Sequence, residues 1–159
     1  MEEVHYCANP ALVRVFPGTV AALLRLAAAG FELVIVTNQS GIGRGMLTVS
    51  DFEAVQAELL RQLEPARITA TYFCPDHPDL ASERRKPAPG MILEAAAAHR
   101  LDLARSWLIG DKGIDVECGR AAGVRPILVR TGYGATENAA GAEFVAKDLE
   151  EAAEFILRT

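Results

Sequence analysis

The sequence predicts an α/β domain: a doubly wound, mostly parallel sheet with helices on both faces. Three observations carry that expectation. Short β-branched runs alternate with alanine-rich helical stretches, polar clusters follow directly on two of those runs, and 159 residues make one core without disulfides or a structural metal. From Gly18 to Ala29 the apolar positions Val20, Leu23, Leu24 and Ala27 keep helical spacing, and Gly30 supplies the stop. Glu32 to Val36 reads as a strand buried on both faces, emptying into the polar loop Thr37-Asn38-Gln39-Ser40-Gly41. Ser50-Asp51-Phe52-Glu53 reads as a capping box that opens a helix to about Leu63. Thr69 to Cys74 is the next strand, followed by a long loop from Pro75 to Pro89 and a helix from Gly90 to His99. Ser106 to Ile109 forms a third buried strand that ends in Gly110-Asp111-Lys112. A helix from about Ile114 to Ala122 stops at Gly123, Pro126 to Val129 is a strand, Phe144 to Ala146 a short edge strand, and Leu149 to Leu157 a closing helix.

Composition narrows the function classes. Sixteen basic residues against 21 acidic ones give a net charge of −5, and the basic residues are dispersed, which disfavours a groove that tracks nucleic-acid phosphates. No apolar run approaches the roughly 20 residues of a membrane span, and the start Met1-Glu2-Glu3-Val4-His5 is acidic where a signal peptide is basic. A cytoplasmic protein is expected, with Cys7, Cys74 and Cys118 as reduced thiols.

In open α/β sheets ligands collect beyond the carboxyl ends of the strands. Three polar clusters fall there. Thr37-Asn38-Gln39-Ser40 offers hydroxyls and amides, Arg84-Arg85-Lys86 stands just before the fixed-φ Pro87, and Asp111-Lys112 follows a strand. Singly these are an ordinary polar turn, a solvated basic triplet and a helix cap. Together a hydroxyl, a lysine and a carboxylate make a phosphoryl site: donors for oxygens, plus an oxygen ligand for Mg²⁺.

The strings VIVTNQSGIGRG, RKPAPGM and IGDKGID, in this order, resemble motifs II, III and IV of haloacid-dehalogenase-like phosphatases. Within that superfamily they are similar to the branch holding D-glycero-D-manno-heptose 1,7-bisphosphate phosphatases and histidinol-phosphate phosphatases, over essentially the whole chain. The resemblance implies a Rossmann-like sheet with a minimal cap and a Mg²⁺-dependent phosphomonoesterase acting on a small phosphorylated metabolite, a sugar bisphosphate or histidinol phosphate. It implies that Thr37 and Lys86 steady the transferring phosphoryl group. Thr37, Asn38, Gln39, Ser40, Arg85, Lys86 and Lys112 then contact substrate, and Asp111 with Lys112 belongs to the Mg²⁺ site. Glu3-Val4-His5-Tyr6 matches a substrate-contacting segment, and Arg44 is a further candidate.

Two departures from the family pattern follow. Family members open with a strand ending in Asp-x-Asp-Gly, the source of the nucleophile and the acid/base, whereas no two aspartates of this chain are separated by one residue. The first, central strand of the fold is therefore expected to be missing, with negligible phosphatase activity and low stability for residues 1–159. Its flanking strands would keep open edges unless Val4 to Val15, a partner chain or a swapped strand fills the place. Zinc is the second departure: Cys74-Pro75-Asp76-His77 keeps the cysteine of a family loop site, but Ser82-Glu83-Arg84 follows without cysteine, so a closed tetrahedral site is not expected. The competing readings are a non-catalytic phosphate-binding or regulatory module with the same cradle, and a phospho-accepting receiver domain. The second is disfavoured because Thr37 and Lys86 precede Asp111 in the chain. A monomer is expected of the complete protein.

Overall fold

In the computed structural model the described residues are Met1 and 6–159. They form the helices α1 (Thr19–Ala28), α2 (Ser40–Gly43), α3 (Val49–Leu63), α4 (Gly90–His99), α5 (Gly113–Ala122) and α6 (Leu149–Arg158). The strands are β1 (Val34–Asn38), β2 (Ala70–Cys74), β3 (Trp107–Gly110), β4 (Arg125–Val129) and β5 (Phe144–Ala146). All pairings are parallel, but the strands make two sheets, β1–β2 and β3–β4–β5. The expected α/β architecture is present, and the continuous sheet is interrupted between β1 and β3.

Helices cover both faces of both sheets. On one face Ile92 of α4 and Cys118 and Ala122 of α5 pack with Val36 of β1 and Leu108 of β3. On the other, Ala22 and Leu26 of α1 meet Ala152, Ala153 and Ile156 of α6 over Ile127 and Val129, with Leu33, Trp107 and Ile109 against them. Helix α3 lies on β2, where the Phe52 and Phe73 rings sit 4.5 Å apart and Gln56 donates to Thr71. The two sheets are thus spanned by helix pairs, α4–α5 on one side and α1–α6 on the other.

Several boundaries differ from expectation. The first strand starts at Val34, not Glu32, and runs through Thr37 and Asn38 because these pair with Phe73 and Cys74; the polar residues are strand, not loop. Gln39 then leads into the short helix α2, which the sequence pattern did not single out. The capping box belongs to Thr48 and Asp51: Thr48 accepts from the Asp51 amide and Asp51 returns the bond to the Thr48 amide. Ser50 and Glu53 are therefore interior helix residues. Residues 6–15 do not fill the place between β1 and β3. They hold a 3-10 turn at Pro10–Leu12 and are tied to α3, where Gln62 donates to Val13 O and accepts from Val15 N; Val4 and His5 lie outside the described residues.

Candidate active site

The space between β1 and β3, about 1170 Å³, runs from Leu33 and Ser106 at the amino ends of these strands to Thr37, Asn38, Lys86, Asp111, Lys112 and Asp115 at their carboxyl ends, where it forms a cleft. This is where the loops after parallel strands converge. Lys86 is held from three directions. Its backbone N–H donates to Asn38 Oδ1 and its carbonyl accepts from Asn38 Nδ2, each at 3.0 Å. Its Nζ donates to Asp115 Oδ1 at 2.6 Å and to the Val36 carbonyl at 3.1 Å. Among the described residues these are the two acceptors of Nζ, and an ammonium has three donors, so a third N–H can serve a ligand.

Among the described residues Asp115 is the buried charged side chain, 5% exposed. One oxygen takes the Lys86 ammonium and the other the Lys112 amide at 3.1 Å. The pair is compact because Gly110 carries no Cβ: one there would collide with the Asp115 side chain. Asp115 stands within the IGDKGID string, yet its role was not legible, since its partner lies 29 residues away on a loop. Its place three residues into α5, on the helix face turned to β3, is the signal that marks it. Cys118, one turn further on, donates to the Ala88 carbonyl at 3.3 Å. Burial pushes its thiol up to about 11, against the opposing pull of the Lys86 charge.

Asp111 ends β3. Its Oδ2 accepts from the Tyr133 amide at 3.0 Å, which the left-handed Gly132 permits because a side chain there would strike the same oxygen. Among the described residues the other carboxylate oxygen accepts no hydrogen bond. Among the described residues no group of three or more His, Cys, Asp or Glu comes together that could hold a metal ion. Asp111 is the residue that would hold a Mg²⁺ here, as one carboxylate beside water and phosphate oxygens. Lys112 places Nζ over the Tyr133 ring, 3.6 Å from its centroid; an ammonium has no lone pair to give a metal, so its part is electrostatic.

The remaining candidates are distributed. Thr37 Oγ1 accepts from Gln39 Nε2 at 3.2 Å. Gln39, Ser40 and Arg85 are not among the described residues that line the cleft. Ser40 opens α2, and Arg85 Nη1 donates to the Asp76 carbonyl at 3.3 Å. Arg44 caps the end of α2. Tyr6 packs against Gly41, where a Cβ would lie 2.7 Å from its ring, and Glu3, Val4 and His5 lie outside the described residues. In the loop considered for zinc, the Cys74 thiol faces Asp76 Oδ2 at 3.3 Å and Ser82 Oγ at 3.7 Å. Side-chain hydrogen bonds to the Asp76 carboxylate from Ser82, first, and from Cys74 hold it below its ordinary range.

A parallel α/β domain with a lysine, hydroxyl and carboxylate at one strand-end cleft belongs to the class that handles phosphate esters. Comparison with known proteins makes the class specific. Residues 83–152 match the HAD-hydrolase-like family model. The D-glycero-beta-D-manno-heptose-1,7-bisphosphate 7-phosphatase of Rhodopseudomonas palustris is 42% identical, the match covering 76% of this chain and 72% of that protein. The Thermosynechococcus vestitus D-glycero-D-manno-heptose-1,7-bisphosphate 7-phosphatase is 36% identical over 98% of this chain and 89% of its own length. Among solved structures, D,D-heptose 1,7-bisphosphate phosphatase from B. bronchiseptica, complexed with magnesium and phosphate, superposes with a TM-score of 0.87 at 33% identity, covering 96% of this chain and 88% of that one. The chain belongs to the haloacid-dehalogenase-like phosphatases, the family of these heptose bisphosphate phosphatases.

Proposed function

We propose that residues 1–159 bind the phosphate monoester of a small sugar bisphosphate, D-glycero-D-manno-heptose 1,7-bisphosphate, and do not hydrolyse it unaided. The observation that carries this reading is the fixed Lys86 ammonium, with a third N–H for a ligand, bordering the same cleft as Thr37 and Asp111. Lys86 and the Thr37 hydroxyl hold phosphoryl oxygens, Asp115 pairs with the ammonium and holds it in place, and Asp111 presents its second oxygen to Mg²⁺. When bound, magnesium supplies neutralisation of the phosphoryl charge. The names of the relatives favour the heptose over histidinol phosphate.

Hydrolysis in this family starts from the first aspartate of Asp-x-Asp, which the sequence lacks. The two carboxylates at the strand ends are poor substitutes. Both oxygens of Asp115 are engaged, and Asp111 is committed to the Tyr133 amide on one side. Loss of a covalent nucleophile costs on the order of 10⁴–10⁶ in turnover.

The test is titration calorimetry with the heptose bisphosphate and with inorganic phosphate, with and without Mg²⁺, beside a phosphate-release assay. Magnesium-strengthened binding without release is expected. Turnover above about 1 s⁻¹, or no binding of either compound, overturns the reading. Joining a strand that ends in Asp-x-Asp to the amino terminus should then create turnover; binding that still lacks it would identify a non-catalytic phosphate-binding module.

A further inference from the structure

Helix α5 starts beside the cleft on a residue that cannot cap it. The residue before its first turn is Lys112, whose side chain makes no capping bond. An ammonium has donors and no acceptor, and a cation is unfavourable at the positive end of a helix dipole. The first amides of the helix still need partners. Asp115 reaches back to the Lys112 amide, which leaves the amide of Gly113, the first helical residue, to be satisfied from outside the helix. Its acceptor is Glu137 Oε2 at 2.7 Å, 24 residues further along the chain.

Glu137 belongs to the connection between β4 and β5, and that connection has a fixed form. Arg130, directly after β4, donates through Nη1 to the Gly134 carbonyl at 2.7 Å and to the Glu137 carbonyl at 2.9 Å. Between them lies a 3-10 turn, Gly132–Ala135, with the Gly134 amide on the Thr131 carbonyl. The connection thereby touches three consecutive residues after β3. It meets Asp111 through the Tyr133 amide, Lys112 through the Tyr133 ring and Gly113 through Glu137. The approach is close: a Cβ on Gly134 would stand 3.4 Å from the Asp111 carbonyl oxygen, and one on Gly113 3.2 Å from Glu137 Oε2. Glu137 is not among the described residues that line the cleft, so it acts there through the residues it holds.

We infer that Glu137 is a positioning residue for Asp111. Its carboxylate pins the connection to the first turn of α5, and that joint keeps the Tyr133 amide on Asp111 Oδ2, which fixes where the second oxygen stands. The inference rests on the reading of Asp111 as the carboxylate that would hold Mg²⁺. Groups that orient a metal's ligands from outside change its affinity by about tenfold or more when removed. Lys86 and Thr37 are held by other partners, Asn38, Asp115 and Gln39, so phosphate contacts made without magnesium do not depend on Glu137.

The test compares Glu137→Ala and Glu137→Gln with Thr48→Ala, which removes a cap from α3, all in the full chain. Inorganic phosphate binding is followed by calorimetry across a series of MgCl₂ concentrations. Glu137→Ala is expected to raise the MgCl₂ concentration that gives half of the gain in phosphate affinity by about tenfold, and to leave the affinity without magnesium unchanged. Glu137→Gln keeps an acceptor for the Gly113 amide and loses the charge, so it should stay near the parent value; if charge alone were at work it would behave as the alanine variant. Thr48→Ala should lower the urea midpoint as Glu137→Ala does and leave the magnesium response intact. An equal loss with and without magnesium, a glutamine variant as impaired as the alanine one, or no change in any variant overturns the inference. A parent chain with no magnesium response defeats the metal reading of Asp111, and the positioning is then read from amide hydrogen exchange. Glu137→Ala should speed exchange at the Tyr133 amide by about tenfold and Thr48→Ala should not; unchanged exchange at Tyr133 overturns the inference on its own.

Discussion

The two strands β3 and β4 are neighbours of similar composition and unequal fate. Ile127 and Leu128 of β4 are fully removed from solvent, while Leu108 and Ile109 of β3, one strand away, are half-buried. Both strands lie beneath the same helices, α5 and α6. The difference is the second edge: β4 is paired on both sides, by β3 and β5, and β3 on one. Burial in a parallel sheet is thus set by what lies beside a strand as much as by what lies above it, and an apolar run such as Val34-Ile35-Val36 can be written for an interior that is not closed.

The sharpest way to break this comparison is at the mouth of the gap. Asp115→Ala leaves the largely buried Lys86 ammonium and the Lys112 amide without their acceptor, and should cost about 3–5 kcal/mol in urea unfolding. Next, Ile127→Ala should cost about 2–5 kcal/mol by cavity formation, whereas Ile35→Ala on the half-buried β1 should cost about half as much. Gly110→Ala drives a methyl into Asp115 and should cost about 1–3 kcal/mol while loosening phosphate binding in calorimetry.

The smallest effect is alkaline. Cys118 keeps its proton to about pH 11 in the fold, against an ordinary value of 9.0. The native state therefore binds more protons than the unfolded one in this window, and stability should fall as pH rises from about 9 to 11. At pH 8 a thiol reagent should modify Cys7 well before Cys118, and Cys118→Ser should flatten the alkaline slope.

Much of this architecture was legible. The helix Gly90–His99 and the strand Phe144–Ala146 were read with their observed bounds, and α5 to within a residue at its start, its stop at Gly123 being left-handed as a C-terminal glycine should be. Errors fell where polar side chains serve long-range pairing. Thr37 and Asn38 look like a loop but continue β1 beside Phe73 and Cys74, and the Asn38 amide is spent on the backbone of Lys86, 48 residues away. The capping box was read two residues late because Ser50 and Glu53 mimic the pattern that Thr48 and Asp51 realise. At the site, Thr37, Lys86 and Asp111, singled out from the motif strings, all border the space between β1 and β3. They did not show that Asp115 anchors the lysine, which depends on how the 75–89 loop folds back, nor that Arg85 turns to Asp76 instead of the cleft.

The short turn at Gly132 and Tyr133 touches both members of the dipeptide after β3: the Tyr133 amide grips the Asp111 carboxylate and its ring carries the Lys112 ammonium. An acid and a base adjacent in sequence thus share one bracket contributed from the far side of β4. Remodelling that bracket would shift both charges in concert, so the spacing between them is a property of the β4–β5 connection and can be retuned there without altering either residue.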